Sequence, residues 1–199
     1  MGLGVRGFMR IGAAIAGCAL VAACTPDQPP TVTPTPTATP SATPSATPTE
    51  TNIERQMRLD FEAAEKAYRT AIAESDRLAQ SGGARKPTAV LKGSATGDYL
   101  RVLIADLRTF ESRGWRLKGG VTILNVSRSG GWTSTKLELT ACEDNSTWKV
   151  LDQKGQDVTP KNQPDYIQSL TATNSQGVWK ISDSSTRKVA NVERSDCQS

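Results

Sequence analysis

The chain has 199 residues, with 24 Lys and Arg against 20 Asp and Glu, four cysteines and no histidine. The missing imidazole excludes a Ser-His-Asp triad, a Cys-His nucleophile pair and a histidine-ligated zinc site. The modest formal charge of +4 argues against nucleic acid as a partner, because that function needs a concentrated basic face.

Residues 1–10 carry Arg6 and Arg10 and no acid, and residues 11–23 are only Ile, Gly, Ala, Cys, Leu and Val. Thirteen helical residues rise roughly 20 Å, short of the roughly 30 Å core of a bilayer. The stretch therefore reads as the apolar part of a secretion signal rather than a membrane span. Val21-Ala22-Ala23-Cys24 resembles the lipobox of bacterial lipoproteins, in which the Cys thiol takes a diacylglycerol and becomes the first residue after cleavage. Ile15-Ala16-Gly17-Cys18 is a second lipobox-like run, but its apolar segment is very short and it would leave Leu20-Val21-Ala22 exposed on the mature chain. The expectation is a signal peptide over 1–23 and lipid on Cys24, anchoring the chain to the outer face of the cell membrane. Loss of Arg6 and Arg10 leaves 22 basic side chains against 20 acidic ones.

Residues 24–50 form the next segment, with Thr-Pro, Ala-Thr-Pro and Ser-Ala-Thr-Pro units recurring after Cys24. Proline favours extended backbone and almost nothing apolar is present to bury, so the segment reads as a disordered, semi-rigid stalk. Its 26 residues after Cys24 reach roughly 80 Å at full extension. Thr beside Pro also fits an O-glycosylated stalk.

The globular domain is expected over 51–199. Thr51-Asn52-Ile53-Glu54 has the capping-box pattern. Ile53, Met57, Phe61, Ala64, Tyr68, Ala71 or Ile72 and Leu78 follow at helical spacing, with Gly82-Gly83 as the stop. A short helical turn is expected over 87–91 with Pro87 at its first position. A second helix is expected over 96–112, with Leu100, Leu103, Ile104, Leu107 and Phe110 on one face and Gly114 as its end. From Trp115 the period changes to two. Strands are expected around Leu117–Val126, over 132–142, at 148–151, and as a hairpin of 166–173 and 178–183. Ser129-Gly130-Gly131 is read as a turn, and Gly119-Gly120 as a strand irregularity. Helices first and an antiparallel meander after them give the α+β class.

After Cys24 the remaining cysteines are Cys142 and Cys197, and in an oxidising compartment an isolated pair is expected to form a disulfide. The run Ala95-Thr96-Gly97-Asp98-Tyr99-Leu100, the segment Ala141-Cys142-Glu143-Asp144-Asn145-Ser146, the Asp152-x-x-Gly155 turn, Val178-Trp179-Lys180-Ile181 and the terminal Cys197 together resemble small exported lipoproteins of actinobacteria in the nuclear transport factor two-like, or SnoaL-like, superfamily. The resemblance covers roughly residues 61–197. It implies N-terminal helices packed on a curved antiparallel sheet of about four to six strands, a cone with a pocket, and it also implies the Cys142–Cys197 bond. Asp144 is read as capping the turn after its strand.

Function does not follow from such a fold. The candidates for chemistry are Asp60 as a buried base, with Tyr68 or Tyr99 as a proton donor. The plainer reading places Asp60, Glu62, Glu65, Glu74 and Asp76 on a solvated face, pairing with Arg58, Lys66 and Arg69, and Tyr68 in the core. No cofactor or metal is expected. Lys86, Lys92, Arg101, Arg108, Arg113, Arg116 and Lys118 are the densest basic stretch and read as a solvated surface, with anionic headgroups as the alternative partner. The leading expectation is a tethered, non-enzymatic domain contacting an envelope protein, a wall polymer or an apolar ligand. An isomerase- or dehydratase-like enzyme or small-ligand binder using the cone is the alternative. An open apolar pocket holding a perturbed acid would favour that alternative, and a filled cone would count against it.

Overall fold

A computed structural model describes residues 50–161, 164–190, 192, 193 and 196. The expected signal peptide, Cys24, nearly all of the stalk and Cys197 lie outside the described residues.

The class is α+β: three helices pack against antiparallel sheets of four and two strands. Helix α1, Asn52–Gln80, begins with the expected capping box. Thr51 Oγ1 accepts the Glu54 amide at 3.2 Å and Glu54 Oε2 accepts the Thr51 amide at 2.7 Å. Helix α2 spans Ala89–Ser94 and α3 spans Gly97–Arg113. Pro87 is not the first helical residue of α2, because Thr88 supplies the cap by accepting the Leu91 amide. Gly83 follows α1 with φ of +94°, and a Cβ there would lie 2.2 Å from the Leu107 carbonyl oxygen, so the crossing of α1 over α3 requires glycine.

The strands are β1 (Arg116–Lys118), β2 (Thr122–Trp132), β3 (Lys136–Asp144), β4 (Lys149–Leu151), β5 (Asp165–Ser175) and β6 (Val178–Val189). The larger sheet has the order β2-β3-β5-β6, and β1 pairs with β4 in the smaller one. The strand expected around Leu117–Val126 is instead two strands in different sheets, β1 and β2, and Gly119-Gly120 is not an irregularity within a strand but the link where the chain leaves one sheet for the other. Further boundaries also differ from expectation. Ser129-Gly130-Gly131 is not the turn: β2 runs on to Trp132 through a register shift, and Thr133–Thr135 makes the reversal. Thr133 is the reason, since its hydroxyl accepts the amides of Thr135 and Lys136 while its own amide reaches the Lys136 carbonyl. Strand β3 continues through Glu143 and Asp144, past its expected end at Cys142. Strand β6 extends to Val189 because β5 pairs with it throughout, although Ser184–Lys188 is too polar to show alternation.

One face of the large sheet meets α1 and α3. Leu137, Leu139 and Ala141 of β3, Leu170 and Ala172 of β5, and Trp179 and Ile181 of β6 pack against Ala64, Tyr68 and Ala71 of α1 and Tyr99 of α3. A second cluster joins Leu78 and Ala79 of α1 to Leu91, Ile104, Leu107 and Leu117. The Thr96 amide bonds the Ile181 carbonyl at 2.8 Å, fixing the start of α3 to β6.

Candidate functional site

The three sequence candidates for chemistry are committed to the interior. Asp60 is 6% exposed rather than solvated. Its Oδ1 accepts Trp179 Nε1 and Gln56 Nε2, each at 3.0 Å, and its Oδ2 accepts Trp132 Nε1 at 2.9 Å. With both oxygens engaged by fixed donors, Asp60 is a structural acceptor and not a free base. The Tyr68 hydroxyl donates to Glu143, a buried acid at the end of β3. Gln168 Nε2 donates to the other Glu143 oxygen at 3.0 Å, and Thr186 Oγ1 donates to Gln168 Oε1 at 2.7 Å. Burial pushes the Glu143 carboxyl upward against these hydrogen bonds. Burial, then the Glu143 charge, holds the hydroxyls of Tyr68 and Tyr99 well above the usual phenol range. None of the three candidates lines the cavity described next.

The expected solvated face is only partly so. Glu62 pairs with Arg58 at 2.9 Å and Glu65 with Arg69 at 2.8 Å, both on the exposed side of α1. Glu74 is buried instead, gripped by Arg77 and by the Thr88 hydroxyl, and the Arg77 hydrogen bonds hold its carboxyl low. Asp144 caps its turn as read: its Oδ1 accepts the Ser146 amide at 2.7 Å, and Ser146 holds it below the ordinary carboxylate range.

A mostly apolar cavity of about 420 Å³ opens between the C-terminal half of α1, the outer turns of α3, the small sheet and the start of β5. This lies within the usual range for small-molecule sites, about 300–1,000 Å³. Ala79, Leu107, Leu117, Val150 and Val158 supply aliphatic wall. Phe110, Trp115, Trp148 and Tyr166 supply rings. Phe110 meets Trp115 edge-on with centroids 6.1 Å apart, and the Arg113 guanidinium stands 4.5 Å from the Trp115 ring centre. Trp148 is oriented by its Nε1 donating to Asn145 Oδ1 at 2.8 Å.

Two carboxylates interrupt the apolar wall, Asp76 of α1 and Asp106 of α3. Neither belongs to an ion pair among the described residues. Asp76 Oδ2 accepts the Val121 amide at 2.9 Å. Gly120 allows that approach, since a Cβ there would stand 2.6 Å from the same oxygen. Desolvation pushes Asp76 up to about 6, the Val121 amide opposes this, and the Glu143 charge adds to the rise. Desolvation also raises Asp106 at the cavity mouth. Tyr166 is raised by burial first, then by the charges of Glu143 and Asp106. The sequence does not single out Asp106 or Glu143, and the half-buried Asp76 departs from the solvated face expected for it. Among the described residues, no group of three or more Cys, Asp or Glu is arranged to hold a metal ion.

Asp76 binds its proton more tightly in the folded chain than in the unfolded one. Its contribution to stability is therefore complete below the ordinary carboxylate value near 3.8 and is lost as pH rises through about 6. Asp76→Asn keeps an acceptor for the Val121 amide and removes the charge. After discounting for partial exposure, the variant should gain about 1–2 kcal/mol at pH 8, or roughly 3–6 °C in Tm, and nothing at pH 3.5. Thermal unfolding of both proteins at the two pH values checks this; an equal shift at both would refute the assignment.

No family model and no curated protein matches the chain. Among solved structures, the chain is similar to the crystal structure of the intermembrane space region of the chloroplast protein ARC6, at 15% identity and a TM-score of 0.43, covering 65% of this chain and 97% of that one. Among the described residues, no helix is long and apolar enough to cross a membrane.

Proposed function

We propose that this is a lipid-anchored protein of the extracytoplasmic face, tethered through Cys24 and a stalk, whose domain binds a small, largely apolar ligand in the cavity between α1, α3 and the small sheet. The observation that carries the binding reading is the open cavity of about 420 Å³, walled by aliphatic and aromatic side chains with two carboxylates set into it. A ligand packed against such a wall gains dispersion contacts and takes apolar surface out of water. The lipobox-like Val21-Ala22-Ala23-Cys24 and the Thr/Pro-rich run behind it support the tether. Membership of the nuclear transport factor two-like superfamily belongs to the same proposal. It rests on the quoted sequence pattern, and helices packed on antiparallel sheet are compatible with it.

Asp76 also supports a second reading. A carboxyl raised to about 6 in an apolar pocket suits proton abstraction beside a carbonyl. Turnover of small ketones by the protein, lost in Asp76→Asn, would favour that class.

One experiment with two arms tests the primary reading. An apolar fluorescent reporter, 1-N-phenylnaphthylamine, should bind saturably at one site per chain. Thr109→Trp, at an exposed α3 position on the cavity wall, should weaken it at least tenfold while the circular dichroism stays native. In the second arm, Cys24→Ser should move the chain from the membrane fraction to the soluble fraction. Binding indifferent to Thr109→Trp would overturn the pocket reading, and an unaltered membrane fraction would overturn the tether.

A further inference from the structure

The cavity holds a mismatch of charge. It carries Asp76 in its wall and Asp106 at its mouth, and no Lys or Arg is among its lining residues. Elsewhere on α1, Glu62, Glu65 and Glu74 each meet an arginine at 2.7–2.9 Å, while Glu54 and Asp60 are satisfied by the Thr51 cap and by the Gln56, Trp132 and Trp179 donors. Among the described residues, Glu143 of β3 is the charge felt by Asp76, and the other titratable groups on the same cavity wall are Asp106 of α3 and Tyr166 of β5, none of them cationic. The guanidinium of Arg113 is occupied over the Trp115 ring. Asp76 is half-buried and Asp106 stands at the exposed rim, so a partly desolvated carboxylate without a counter-charge sits deep in an apolar wall with a second one at its mouth, and a cation entering between them offsets that cost.

The rings point the same way. Trp115, Trp148, Phe110 and Tyr166 share the wall with the two acids. Aromatic faces attract a cation through their quadrupole, most strongly where water is excluded, and they accept the alkyl groups of a substituted ammonium. A bare metal ion is poorly served, because among the described residues no three Cys, Asp or Glu side chains come together to ligate one.

We infer that the ligand of this cavity is a small organic cation, an alkyl- or arylammonium whose charged head lies beside Asp76 and Asp106 and whose apolar part packs on Trp115 and Trp148. The inference rests on the pocket reading above and narrows it from apolar ligands in general to ammonium amphiphiles. Ionisation of Asp76 then becomes part of recognition, so affinity for the cation should rise with pH, whereas a neutral ligand should bind as well or better when Asp76 is protonated.

The test uses benzyltrimethylammonium and its uncharged isostere neopentylbenzene, followed by tryptophan fluorescence of the full-length protein at pH 5 and pH 8. At pH 8 the cation should bind at least tenfold more tightly than the isostere. That preference should shrink about tenfold at pH 5, and likewise at pH 8 in Asp76→Asn, a variant expected to fold at least as well as the parent. Asp106→Asn should act in the same direction with a smaller effect. Binding of neopentylbenzene with equal or greater affinity at both pH values would overturn the charge inference and leave the pocket reading standing. Silence from both probes and from the fluorescent reporter would overturn both.

Discussion

Asp60→Ala should destabilise the domain by about 3 kcal/mol, seen as a fall in the urea midpoint at unchanged slope. The argument starts from topology. Trp132 lies on β2 and Trp179 on β6, the two outer strands of the four-stranded sheet. Three strand spacings, about 14 Å, separate those strands, yet both indole N–H groups converge on one carboxylate projecting from α1. Asp60 therefore clamps both edges of the sheet to the helix. Truncation leaves the almost fully buried Trp179 N–H without an acceptor, strands Trp132 and opens a small void. Each hydrogen bond to a charged group is worth about 1.5–3 kcal/mol; relief of the buried charge offsets part of that sum. Asp60→Asn retains one acceptor oxygen and should cost about half as much. In the Asp60→Ala background, Trp132→Phe should cost almost nothing further, because its N–H has already lost its partner. A loss below about 1 kcal/mol for Asp60→Ala would show that the clamp does not support the fold.

The same residue shows what a linear sequence conceals. The capped start of α1, its apolar stripe and the change to period two after Trp115 are local patterns, and the structure follows them. The burial of Asp60 was also encoded locally. It stands four residues before Ala64, which stands four before Tyr68, so an acid occupies a stripe position. Glu143 continues the inward series Leu137, Leu139, Ala141, and Asp76 lies four residues after Ile72. An acid at an apolar register was therefore legible as an anomaly. Its meaning was not, because the partners come from 72 and 119 residues away for Asp60 and 75 for Glu143. Short strands were the least legible. Strands β1 and β4 have three residues each and exist by pairing with each other, and the polar half of β6 exists by pairing with β5. The cavity depends on all of these, since its wall joins side chains from two helices and the small sheet.

Cys197→Ser should lower stability by about 4 kcal/mol, or roughly 10 °C in Tm, and abolish the response of the protein to reducing agent. Cys142 is disulfide-bonded and fully buried. It faces away from the helices, in a separate cluster with Ile167, Leu124, Val189 and Val192. Asp165 draws the C-terminal segment to that place: its Oδ2 accepts the Val192 amide at 3.0 Å while its Oδ1 accepts the Asn145 amide at 2.9 Å, just beyond Cys142. From Val192, five residues lead to Cys197, enough to span about 17 Å when extended. The other two thiols, Cys18 and Cys24, precede the stalk, and lipidation would consume Cys24. A bond from Cys142 to Cys197 closes a loop of about 55 residues, for which loop-closure entropy gives about 4 kcal/mol. Cys197→Ser is the cleaner variant, since Cys142→Ser would also bury a hydroxyl among apolar groups. Dithiothreitol should lower the parent protein to the level of Cys197→Ser and leave the variant where it is. If Cys197→Ser melted like the parent while dithiothreitol still lowered both, Cys142 would belong to a different thiol and the C-terminal segment would be held by Asp165 alone.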